Sequence, residues 1–139
     1  MCLGSFYFEA AVLLRESIFS SSVLLNSETW VNLTKTDLEE IESCDRILLR
    51  NILEVPSSTP IPALYLELGV LPLRFVIKAR RLMYLHYLLT REESQLVSQV
   101  LVAQINEPVN GDWTQSVKED LVDFELNYLN FNEIKTMKK

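Results

Sequence analysis

The chain is poor in residues that break helices and in residues that do chemistry. Three glycines and five prolines punctuate 139 residues, so long uninterrupted segments favour helices over a many-turned β fold. The two cysteines, Cys2 and Cys44, form no C-x-x-C pair. A disulfide framework or zinc site is therefore not expected, and Cys44 reads as a small apolar helix residue in a reducing compartment. The single histidine, His86, has no serine or cysteine partner in a recognisable motif. The glycines are too few and too scattered for a phosphate loop. Carboxylates such as Glu39-Glu40 and Glu92-Glu93 sit where helix first turns and solvated faces are expected. No catalytic residue, metal ligand or cofactor is assigned, and an enzyme is not expected. No basic stretch precedes an apolar run at the N-terminus, and Arg15, Glu16 and serines interrupt the segment from Ala10 to Leu25. That argues against a signal peptide or a membrane partner. The expected location is intracellular, with cytoplasm and nucleus both open.

What is present is apolar and unevenly charged. Apolar residues make up 48% of the chain, enough for a folded core. The net charge is −6. Yet from Val70 to Arg91 there are five basic residues, Arg74, Lys78, Arg80, Arg81 and Arg91, and no acidic one. The rest of the chain is strongly acidic. Overall acidity opposes generic nucleic-acid binding, while the island favours one basic surface.

Periodicity predicts a mostly buried helix over Phe6 to Asn26, with Leu14, Ile18 and Leu25 on one row and Ala10, Leu13 and Leu24 on another. The serines at 20–22 would permit close backbone approach or fraying. Thr36 with Glu39 has the spacing of a capping box, ahead of an apolar stripe of Leu38, Ile41, Leu48 and Ile52. Three prolines between Pro56 and Pro62 make a connector. A short helix from Pro62 to Leu68 follows, closed by Gly69. Pro72 opens a central helix to about Leu89, with Leu73, Val76, Ile77, Met83, Tyr84, Tyr87 and Leu88 as its apolar face. Thr90 with Glu93 predicts a further box, starting a helix that carries Leu96, Val97, Val100 and Leu101. After an Asn-Gly turn, Asp112 or Thr114 caps a last helix facing inward through Val117, Leu121, Phe124 and Tyr128. The expectation is an all-α fold of five or six helices around one core. Residues 1–129 form a single helical domain and 130–139 a frayed or truncated tail.

Arg74, Lys78 and Arg81 stand at i, i+4 and i+7 and so share one face of the central helix. Such a stripe can track phosphates, with Arg80 to the side. It can equally be a solvated face, or pair with the acidic helix from Thr36 to Asp45. Pattern alone does not separate these readings. Tyr84 and Tyr87 can stack on bases, but tyrosines on an apolar face more often belong to a core.

Several runs go beyond periodicity: Ser27-Glu-Thr-Trp30, Asp45-Arg-Ile-Leu-Leu-Arg50, Leu64-Tyr-Leu-Glu-Leu-Gly69, Ile77-Lys-Ala-Arg-Arg-Leu-Met-Tyr-Leu-His86 and Gly111-Asp-Trp113. From about Ala11 to Leu126 the chain resembles the thumb and linker downstream of the polymerase core in non-LTR (LINE-type) retrotransposon reverse transcriptases. That resemblance implies helices that cradle an RNA or an RNA–DNA duplex, with Arg74, Lys78, Arg80 and Arg81 as phosphate contacts. The aromatic-x-Asp-Asp turn of the polymerase palm is missing. The resemblance therefore implies a non-catalytic remnant. The rival expectation is a protein-interaction or structural module, self-associating or binding a helical partner through exposed apolar surface.

Overall fold

In a computed structural model of the protein, which describes residues 3–126 and 129–136, the fold is all-α. No strand occurs among the described residues. The chain divides into two compact units, one of residues 1–25 and 33–76, the other of 26–32 and 77–139.

The first unit opens with α1 (Leu3–Leu14), which runs into a π-helical segment (Arg15–Ser20) and the single turn α2 (Ser21–Val23). The expected burial is only partly found. Ala11, Arg15, Ser20 and Leu24 are buried, whereas Leu13, Leu14, Ile18 and Leu25 are exposed. The buried positions are spaced four, five and four. A π turn brings residue i+5, not i+4, beneath residue i, which keeps Ser20 on the face that Arg15 starts. Of the three serines only Ser20 lies against protein. The Ser21 and Ser22 hydroxyls donate back to the carbonyls of Ser17 and Ile18, at 2.6 and 2.7 Å.

Helix α3 (Lys35–Leu53) is capped by Thr34 rather than Thr36. The Thr34 hydroxyl accepts from the Asp37 amide at 3.1 Å, and the Asp37 carboxylate accepts from the Thr34 amide at 2.8 Å. Both spacings exist in the sequence. Starting at Thr34 brings two more residues into the hydrogen-bonded helix. The Thr34 hydroxyl and amide also hold the Asp37 carboxyl below its usual range. Thr34→Ala should therefore cost about 1 kcal/mol, and Thr36→Ala should leave the urea midpoint nearly unchanged.

The inward face of α3 differs from the expected stripe. Leu38, Ile41, Leu48 and Ile52 are half-buried, and Glu42, Asp45 and Leu49 are buried. Cys44 is exposed, not a packed apolar residue. Beyond the proline connector, α4 (Ile61–Leu68) carries Pro62 in its first turn and stops at Gly69, whose φ of +62° suits glycine. Ala11, Leu49, Leu64, Tyr65 and Leu68 form the apolar cluster of this unit.

Helix α5 (Leu73–Leu89) is continuous. Its residues to Val76 belong to the first unit, and those from Ile77 to the second. Tyr84 is half-buried and Leu85 fully buried, but Met83, expected inside, is exposed. The Thr90 hydroxyl donates back to the Tyr87 carbonyl at 2.8 Å, closing α5 instead of capping the next helix. Helix α6 (Leu96–Asn106) consequently starts later than expected, after Gln95 and without a side-chain cap. Asp112, not Thr114, caps α7 (Trp113–Asp123), accepting from the Gln115 amide at 2.8 Å. Phe124 ends α7, and Tyr128 lies outside the described residues. Within the stretch expected to be a tail, α8 (Phe131–Thr136) is capped reciprocally by Asn130 and Glu133 and buries Ile134. The cluster of the second unit is Leu85, Leu88, Leu101, Val117, Leu121 and Ile134. Among the described residues, each unit thus gathers an apolar cluster of its own.

Candidate functional site

The basic helix α5 meets carboxylates of its own chain. In the first unit, the Arg74 backbone amide and Nε both donate to Glu42 Oε1, at 3.1 and 2.8 Å. Its Nη2 pairs with Glu42 Oε2 and lies 3.5 Å from Glu39. Burial works against the Glu42 charge, but the Arg74 hydrogen bonds and positive charge outweigh it and hold the carboxyl below its ordinary value. The hydrogen bond to Glu42 raises Arg74 in return.

In the second unit, Lys78 pairs with Asp123 of α7. Arg81 Nη1 stands 3.3 Å from Asp120 Oδ2, with both side chains more than 90% buried. This second pair is imperfectly formed, because Arg81 Nε and Asp120 Oδ2 have no hydrogen-bond partner. Burial pushes the Asp120 carboxyl up to about 6, against the pull of Arg81 and Lys78. Arg80 is half-buried beside this row.

Within the first unit Arg74 is therefore occupied by a carboxylate of α3, and within the second Lys78 and Arg81 are occupied by carboxylates of α7. A phosphate would have to compete with them. Arg91, at the end of the island, lies over the Tyr87 ring, 4.0 Å from its centroid. His86 is half-buried on α5. Among the described residues no group of histidine, cysteine and acidic side chains is placed to hold a metal, and no helix is long and apolar enough to cross a membrane.

Models of protein families, curated proteins and solved structures give no match to this chain.

Each unit carries an apolar concavity lined by described residues. The larger, about 500 Å³, is lined in the first unit by Tyr7, Phe8, Leu53, Val55, Ala63 and Leu64, with Thr59 and Glu67 as its polar members. The other, about 320 Å³, belongs to the second unit, between α6 and an aromatic wall. Tyr84 meets Trp113 edge-on at 5.8 Å and stacks on Tyr87 at 5.8 Å. Trp113 Nε1 donates to the Glu28 carbonyl at 2.8 Å, which fixes the indole. Leu88 and Leu101, both buried, lie at the base of this groove. Leu96, Val97 and Val100 form its edge and are exposed, Leu96 by 75%.

Sequence reasoning missed this edge, because these residues share a helical pattern with the buried Leu101. One signal was present: the eleven residues of α6 include no charged side chain. A helix of that composition is usually covered on more than one side.

Proposed function

We propose that the chain is a non-catalytic helical module that docks a protein partner on the apolar face of α6. The observation that carries this reading is an uncharged helix exposing Leu96, Val97 and Val100 beside a rigid Tyr84–Trp113 groove. Exposed apolar surface next to a groove with fixed aromatic walls is what protein interfaces use. A solvatochromic naphthalene-sulfonate dye should brighten with the native protein. Val100→Glu should remove the share of that signal that comes from the α6 groove, leaving the share from the first unit's apolar concavity, while circular dichroism stays helical. An undiminished signal in Val100→Glu, with native circular dichroism, would overturn the reading.

The basic island, together with the resemblance to a reverse-transcriptase thumb and linker, favours a second reading: an RNA or RNA–DNA duplex bound through α5. With three or four phosphate contacts, log affinity against log salt would fall with a slope of about −3. Charge reversal at Arg74 or Arg81 is a poor test, because both support packing through Glu42 and Asp120. Lys78→Gln and Arg80→Gln, compared at low salt on a short RNA–DNA hybrid, test it better. Binding that both changes leave intact, or no binding at low salt, counts against it.

A further inference from the structure

We propose that Asn110 is a site of spontaneous covalent modification, an intramolecular deamidation that Gln115 restrains and that loosens the start of α7 as the protein ages. This chemistry is separate from the docking face of α6.

The site is the turn between α6 and α7. Val109, Asn110, Gly111 and Asp112 form it, closed by the Asp112 amide on the Val109 carbonyl at 3.1 Å. Gly111 is the third residue, with φ at +83°, where a type II turn calls for glycine. Space makes the same demand, since a Cβ on Gly111 would stand 3.1 Å from Asn32 Oδ1. Asn110 is exposed. The turn thus sets an accessible asparagine before the one residue type whose backbone nitrogen no Cβ shields.

The step needs only the chain, a base and water. Base removes the Gly111 amide proton, and the nitrogen attacks Asn110 Cγ. An N–Cγ bond forms, the Cγ–Nδ2 bond breaks, and Nδ2 leaves as ammonia with the returned proton. The five-membered succinimide then adds one water. Opening at Cγ gives aspartate. Opening at the Asn110 main-chain carbonyl carbon gives isoaspartate, whose chain path runs through Cβ and Cγ and is one atom longer.

The fold holds this step back. The Gly111 amide donates to Gln115 Oε1 at 2.7 Å. That N–H must be freed, lose its proton and turn towards Cγ, so the Gln115 carboxamide restrains the nucleophile. The Val109 amide also donates to Asp112 Oδ2 at 3.0 Å, which ties the turn a second time.

The product undoes the turn. Asp112 caps α7 through Oδ1, which accepts from the Gln115 amide at 2.8 Å, while Oδ2 holds Val109. An extra chain atom between Val109 and Asp112 puts these bonds out of register, and a weakened cap lowers stability. Either product also adds a negative charge to a chain that already carries −6.

Trypsin places Asn110 and Asn106 in one fragment, residues 92–118, which supplies an internal comparison. Asn106 is also exposed but precedes Glu107. The purified protein is aged at mildly alkaline pH, digested, and read by mass spectrometry against an unaged digest. A gain of about 1 Da should appear at Asn110 and not at Asn106, in separable aspartate and isoaspartate forms, and faster as pH rises. Gln115→Ala should convert several-fold faster than the parent, and so should the parent unfolded in guanidinium. The aged parent should have a lower urea midpoint than the fresh protein, and aged Asn110→Ala should not. An Asn110 that stays intact, or converts no faster than Asn106, overturns the site. Equal rates in the folded parent and in Gln115→Ala overturn the restraint; if that variant does not fold, equal rates in the folded and unfolded parent do so. An unchanged midpoint in protein that has accumulated isoaspartate overturns the link to α7.

Discussion

Asp45→Ala should destabilise the first unit by about 3–5 kcal/mol, the cost of leaving a buried charge without its partner. Arg15 and Asp45 are 1% and 0% exposed. Two parallel hydrogen bonds join them, Nε to Oδ1 at 2.8 Å and Nη2 to Oδ2 at 2.9 Å. The same Nη2 donates to the Leu71 carbonyl at 2.8 Å, and Nη1 pairs with Glu16 at 2.7 Å. The guanidinium is thus satisfied on every side while it is held out of water. Burial opposes its charge, but the Asp45 hydrogen bond and charge prevail and raise its pKa.

Removing the carboxylate takes away the cation's buried counter-charge and leaves it only the half-exposed Glu16, and several kcal/mol is a large share of a typical domain stability of about 5–15 kcal/mol. Urea midpoints should fall by a molar unit or more, given a dependence of about 1–3 kcal/mol per molar. Arg15→Met combined with Asp45→Leu should cost less than Asp45→Ala alone, because it leaves no charge unpaired. If the single and double changes cost the same, the pair is not what organises this unit. Tyr65 provides a spectroscopic check. Its phenol is pushed up to about 12 by burial first and by Asp45 next, and its hydroxyl lies 3.4 Å from Asp45 Oδ2. In Asp45→Asn its absorbance titration should shift to lower pH.

Between pH 7 and pH 5 the second unit should gain stability as the solution is acidified, by an amount on the order of 1 kcal/mol. Asp120 is the cause. Its carboxyl has a pKa of about 6 in the folded chain against an ordinary value of 3.8, so the folded state binds the proton more tightly. That contribution is complete below about pH 4 and is lost as pH rises through about 6. Asp37, Glu42 and Asp112 work in the opposite sense, since each is held below its ordinary value. The stability they add is present above their unfolded values and lost as pH falls through their folded ones. Their window therefore lies below the one Asp120 controls, and a stability maximum should fall between the two. Trp113 belongs to the second unit, so tryptophan emission can follow its unfolding in urea. The midpoint should rise from pH 7 to pH 5 in the parent and stay flat in Asp120→Asn. A parent midpoint that falls over that interval would show that the Arg81 contact outweighs burial at Asp120.

Much of the local structure was legible in the chain. Scarce glycine and proline, helical spacing and a few punctuating residues led to the all-α class. They also located α4 between Pro62 and Gly69, the start of α5 after Pro72, and the Asp112 cap. These are local effects, set within about four residues by backbone geometry and by hydrogen bonds to a neighbouring side chain. The errors were local as well where two signals competed. Thr34 and Thr36 both precede an acidic residue at the capping distance, and Thr90 can close one helix as readily as open another.

The basic island was visible in the chain too, and so was the common face of Arg74, Lys78 and Arg81. What lies opposite that face was not. Glu42, Asp45 and Asp120 look in sequence like ordinary carboxylates of polar helix faces. Their burial depends on partners 30 or more residues away, Arg15 for Asp45 and Arg74 for Glu42. The exposure of α6 is decided in the same way, by which neighbours reach it and which do not. Composition and periodicity determined that this protein is helical and where most of its helices begin and end. Only the tertiary structure decided which faces are covered, because burial and charge pairing depend on distances through space that no local pattern encodes.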